Sequence, residues 1–92
     1  GGGLGGARAV EHARAGAIEL QMVPVRTGVH IAGGDFYALY RGEKTLSAIE
    51  AHLLPAANAM LDEIAWWGQA TRAARNADAA RAADEAIASA AA

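Results

Sequence analysis

The chain opens Gly1-Gly2-Gly3-Leu4-Gly5-Gly6 and passes directly into Ala7-Arg8-Ala9-Val10-Glu11-His12-Ala13-Arg14, a run with helical spacing. Glycine reaches backbone conformations closed to other residues and lets a main chain approach a ligand closely. A helix mouth adds unpaired N–H groups and the positive end of the helix dipole. A β-like run, Met22-Val23-Pro24-Val25-Arg26-Thr27-Gly28-Val29-His30-Ile31, follows, and then a long helical stretch. Glycine-rich turn, helix, strand and long helix is the ordering of an α/β nucleotide- or flavin-binding protein. The strand that should precede the glycines is missing, and the first Met is Met22. The expectation is therefore a chain that begins inside a larger domain.

Periodicity places the elements. Val10, Ala13, Ala17, Ile18 and Gln21 or Met22 share one helical stripe, predicting a helix over residues 7–21 with Glu11, Arg14 and Glu19 off the stripe. Residues 23–31 read as a strand, with Pro24 at its start and Gly28 marking a bulge. Ala32-Gly33-Gly34-Asp35 ends it as a turn. The aromatic segment Phe36-Tyr37-Ala38-Leu39-Tyr40 reads as a short helical turn or a loop over a pocket. Leu46, Ile49, Leu53, Ala57, Met60, Leu61, Ile64 and Trp67 then keep the helical period, predicting a helix over residues 45–74 that kinks or restarts at Leu54-Pro55. Beyond Thr71 the pattern fades into alanine with Arg75, Asp78, Arg81 and Asp84 alternating in sign, which reads as a solvated, fraying end with residues 89–92 disordered.

Composition narrows the function classes. The 92 residues make one domain at most, and a chain of this size is marginally stable without help. With 8 Lys and Arg against 10 Asp and Glu, no clustered basic surface suits nucleic acid as the main partner. There is no cysteine for disulfide or thiolate chemistry. No apolar run reaches the roughly 20 residues of a membrane span, so the default is a soluble cytoplasmic protein. His12, His30 and His52 lack metal-ligand spacing, and His30 reads as a structural strand residue. Asp35, Tyr37 and Tyr40 could line a substrate mouth, although an aromatic plug over a sheet edge accounts for them more simply. Trp66 and Trp67 point about 100° apart on a helix, Trp67 continuing the apolar stripe and Trp66 at its border. They suit either an interface or a sheet.

The glycine run, the Gly-Gly-Ala-Arg-Ala helix start, Glu19-Leu20-Gln21-Met22-Val23-Pro24-Val25 and Val29-His30-Ile31 together resemble the C-terminal half of the NADPH-dependent FMN reductase family. The resemblance covers residues 1–75. It implies the helix–strand–helix part of a flavodoxin-like, doubly wound parallel sheet, mostly helical as an isolated chain, with residues 76–92 as an Ala-rich helical or disordered tail. It also implies that Gly2 and Gly3 set backbone N–H groups against a flavin ring and that Gly5 and Gly6 open the helix beside it. The chemistry implied is hydride transfer from NAD(P)H through bound FMN to a small acceptor, the cofactor carrying the reactivity, in a homo-oligomer without nucleic-acid or membrane partners. The family's phosphate loop and the Tyr before its glycines have no counterpart here, so this chain alone is expected to be inactive.

A second reading is non-enzymatic: a small helical module that dimerises through Leu53, Met60, Ile64 and Trp67. The two readings part at residues 23–31, where a central or edge strand supports the first and a helix or disorder supports the second. On the first reading a single strand has no partner within this chain, so the isolated polypeptide should be oligomeric, aggregation-prone or poorly cooperative.

Overall fold

The computed structural model describes residues 2–92; Gly1, the first residue of the glycine run, lies outside them. A 3-10 turn over Gly2–Leu4 leads into helix α1 (Ala7–Glu19), then α2 (Gly33–Tyr40) and α3 (Leu46–Ala91). Among the described residues there is no strand, so the α/β, flavodoxin-like sheet is not what this chain forms. The correction has a direct physical reason. Residues 22–32 are extended and irregular, and among the described residues no strand lies beside them to complete a ladder. Two of their backbone groups, the Arg26 carbonyl and the Thr27 N–H, are taken up by side chains of α1 and α3, as described below.

Helix α1 ends two residues earlier than its periodicity suggests, for a local reason. Gln21 turns left-handed (φ 59°), its N–H donates to the Ile18 carbonyl at 2.9 Å and the Met22 N–H donates to Ala17 at 2.9 Å. This is the paired closure of a Schellman motif, which satisfies the last carbonyls of the helix. The half-buried residues of α1 are Ala7, Val10, Arg14 and Ala17, a clean i, i+3, i+7, i+10 set. Arg14, expected on the outer side, thus faces inward, whereas Ile18 is exposed. The aromatic segment forms the short helix α2. It closes in the same way at Gly42 (φ 72°), with the Glu43 N–H donating to Ala38 at 2.8 Å and the Gly42 N–H donating to Leu39 at 3.1 Å.

Helix α3 dominates the molecule. Its 46 residues make a rod of about 69 Å at 1.5 Å per residue. That accounts for the long dimension of a molecule measuring 73 × 25 × 16 Å. The helix is continuous through Pro55, where the sequence predicts a kink or a restart, and reaches Ala91, taking in residues 89–91 of the stretch expected to be disordered. Pro55 removes one backbone donor, and the carbonyl it leaves free belongs to exposed Ala51, where water can reach it. The tail stays helical because alanine is the strongest helix former and the Arg81–Asp78 pair closes one turn at 2.6 Å.

The head formed by residues 2–45 packs against the N-terminal part of α3, as far as Glu63. Ile49 is completely buried and Ala38 nearly so, and among the described residues these two make up the buried core. Leu53, Ala56, Met60 and Glu63 continue the same face, half-buried. Past Glu63 every residue of α3 except Thr71 is exposed. The radius of gyration, 20.7 Å, lies far above the ~12 Å expected of a compact chain of this length.

Candidate functional site

The glycines that open the chain are built into the head. Gly2 and Gly3 lie in the 3-10 turn that packs against α2, with the Tyr37 hydroxyl 3.9 Å from where a Gly3 Cβ would stand. Gly5 is left-handed (φ 60°), and a Cβ there would stand 3.0 Å from the His30 Cβ and 3.1 Å from the Ala32 Cβ. Both the backbone angle and the close approach of residues 30–32 therefore require glycine at position 5. Gly6 (φ 77°) is the N-cap of α1, and the space beside it is open. The four glycines thus form the hinge between the turn and α1, and the packing of the extended segment is sufficient reason for Gly5. His30 seals the contact, its Nδ1 lying 3.3 Å from the Gly5 carbonyl oxygen. This is the structural role expected of His30, in an extended segment instead of a strand.

The extended segment is held by two charged side chains. The Arg14 guanidinium donates to the Arg26 carbonyl at 2.7 Å and to Glu11 at 3.1 Å. The Glu63 carboxylate of α3 accepts the Thr27 N–H at 3.0 Å and the Thr27 hydroxyl in a second, shorter bond. A carboxylate here does what a neighbouring strand would have done for Thr27. The hydroxyl bond, then the backbone bond, stabilise the ionised form and hold the Glu63 pKa below the ordinary 4.5. A group whose pKa is depressed on folding contributes stability above its unfolded value and loses it as pH falls through the folded value. The Thr27 amide resonance should therefore titrate with a midpoint below 4.5, and Glu63→Gln should abolish that titration. A midpoint at or above 4.5 would show that the clamp does not form.

The aromatic rings of α2 pack on one another. Phe36 stacks on Tyr40 with ring centres 6.2 Å apart and meets Tyr37 edge-on at 5.3 Å. Asp35 bonds the His52 Nε2 at 2.5 Å and ties α2 to α3. Asp35 is thereby engaged in holding helices together. Among the described residues no group of His, Cys, Asp and Glu side chains could hold a metal ion. No helix among them is long and apolar enough to cross a membrane.

The feature that stands out instead is a bare side of α3. Next to the face covered by the head runs a second stripe containing Leu46, Leu54, Leu61 and Ile64, which are between 44% and 59% exposed. Its first half is an open groove of about 350 Å³ bounded by Leu46, Ser47, Glu50, Leu53, Leu54 and Ala57. Trp66 and Trp67 stand just beyond, packed edge-to-face on each other at 4.9 Å, with 62% and 42% of their surfaces in solvent. Sequence periodicity pointed to Leu53, Met60, Ile64 and Trp67 as the interaction residues. The head half-covers Leu53 and Met60, which moves the free stripe round the helix toward Leu54 and Leu61.

Comparison with protein-family models, with curated proteins and with solved structures gives no match.

Proposed function

We propose that this chain is a non-enzymatic helical module whose activity is self-association through the bare side of α3. The observation that carries the reading is an excess of surface. The chain exposes 7084 Å². A compact monomer of 9.4 kDa would expose about 5,000 Å². The difference, about 2,000 Å² per chain, is more than the ~800 Å² each partner contributes to a stable interface of standard size. One side of α3 exposes Leu46, Leu54, Leu61, Ile64, Trp66 and Trp67, whereas among the described residues the core holds only Ile49 and Ala38. Apolar patches of this kind mark interaction surfaces.

The test is sedimentation equilibrium of the purified chain from micromolar to submillimolar concentration, combined with thermal unfolding followed by circular dichroism. The expected result is a concentration-dependent mass rising to twice 9.4 kDa or a higher multiple, with a melting temperature that rises in step. A 9.4 kDa species at every concentration, with sharp two-state unfolding, would overturn the reading. The flavin-reductase expectation attached to Gly2, Gly3, Gly5 and Gly6 is read in the same sample by FMN fluorescence. Saturable quenching with NADPH consumption would replace the module reading with an enzymatic one.

A further inference from the structure

The bare side of α3 carries a specific pattern, and this inference rests on the self-association proposed above. Glu50, Leu54, Ala57, Leu61, Ile64, Gly68, Thr71 and Arg75 follow one another at alternating intervals of four and three. That is the seam of a coiled coil, two residues per heptad on one side of the helix. The intervals read the same in both directions about a point between Asp62 and Glu63. A second copy laid antiparallel about that point would set Glu50 opposite Arg75, Leu54 opposite Thr71, Ala57 opposite Gly68 and Leu61 opposite Ile64.

Each of these layers suits its partner. Among the described residues neither Glu50 nor Arg75 has an ion-pair partner, whereas Arg81 is held by Asp78 and Arg14 by Glu11. Opposite charges at the two ends of the seam fix direction, since a parallel pair would set Glu50 on Glu50 and Arg75 on Arg75. A Cβ at Gly68 would meet nothing within 4 Å, so the space beside it is free for Ala57 of a second copy. The Thr71 hydroxyl donates to the Trp67 carbonyl at 2.8 Å within its own helix. Covering Thr71 with Leu54 therefore orphans no polar group. Leu61 and Ile64 are 58% and 48% exposed and form the central apolar layer. The groove beside Glu50 receives the aliphatic stem of Arg75, and Trp67 of one copy comes alongside half-buried Met60 of the other. Pro55 lies off the seam and does not interrupt it. We infer that α3 pairs with α3 of a second copy of this chain as an antiparallel coiled coil centred between Asp62 and Glu63.

The chain has no cysteine, which makes disulfide trapping a clean test. Ala57→Cys and Gly68→Cys variants, prepared separately, mixed and oxidised under mild conditions, should give a 57–68 heterodimer identified by peptide mapping. A 57–57 or 68–68 product in its place would overturn the antiparallel register while leaving self-association standing. A monomer by sedimentation in the unmodified chain would overturn both, as it would if another protein covers the stripe. Charge reversal gives an independent reading that spares the central layers. Glu50→Arg should weaken the dimer about tenfold, and adding Arg75→Glu in the same chain should restore it. An unchanged dimer in the single variant, or no recovery in the double, would overturn the assigned Glu50–Arg75 contact.

Discussion

Replacing Leu61 with glutamate should leave the chain monomeric at every accessible concentration. Leu61 is 58% exposed, so the substitution costs the single chain little. In the paired helices it sits in the central layer, where symmetry counts each substitution twice. Two carboxylates would enter an apolar contact without partners, and burying unpaired charge is among the most costly changes available to an interface. Losing the leucine burial alone removes about 1.5–3 kcal/mol per copy. The dissociation constant should rise by at least about a hundredfold, read by sedimentation equilibrium. Helix content by circular dichroism should fall far less than the mass does. Retention of the wild-type mass by the Leu61→Glu chain would place the interface elsewhere.

Ile49→Ala should detach the head from α3. Among the described residues Ile49 is the one large side chain with no solvent exposure, and only Ala38 accompanies it in the core. Truncating a buried isoleucine to alanine costs roughly 2–5 kcal/mol, the upper part of the range applying where surroundings cannot relax into the void. A head held by two buried residues, the Glu63–Thr27 clamp and the Asp35–His52 pair has little reserve against that loss. Residues 22–32 and α2 should become rapidly exchanging by amide hydrogen exchange. The tail of α3 beyond Trp67 should keep its slow helical component, because it makes no contact with the head. Uniform protection across both regions in Ile49→Ala would show that the core is larger than Ile49 and Ala38.

The helices were legible in the sequence wherever an apolar stripe faced a partner. The start of α3 and its face through Ile49, Leu53 and Met60 follow from spacing alone. Two errors have physical causes. Residues 23–31 carry the β-branched and alternating character of a strand, but a strand is a property of pairs, and the partner here is the Glu63 carboxylate, 36 residues away from Thr27. Nothing local in the sequence announces such a bond. The tail was read as fraying because apolar periodicity disappears after Thr71, yet alanine needs no buried face to be helical. Of the site residues, Gly5 stands out in the sequence only as one glycine of the run at the mouth of α1, and its left-handed turn (φ 60°) has no local signal. The structure uses that turn to seat His30 and Ala32 closely. The Arg14–Arg26 bond is not legible in the sequence because Arg14 lies off the apolar stripe, and a guanidinium that turns inward to a backbone carbonyl leaves no periodic trace.

The uninterrupted helix from Leu46 to Ala91 also behaves as a ruler. Its graduations are set by helical geometry, about 1.5 Å and 100° per residue. A single residue inserted after Trp67 would twist everything distal by more than a quarter turn relative to the head and throw Thr71 and Arg75 off the seam. Seven inserted residues would keep the phase nearly intact and lengthen the reach by about 10 Å. Length changes in this part of the chain should therefore be tolerated in steps of seven.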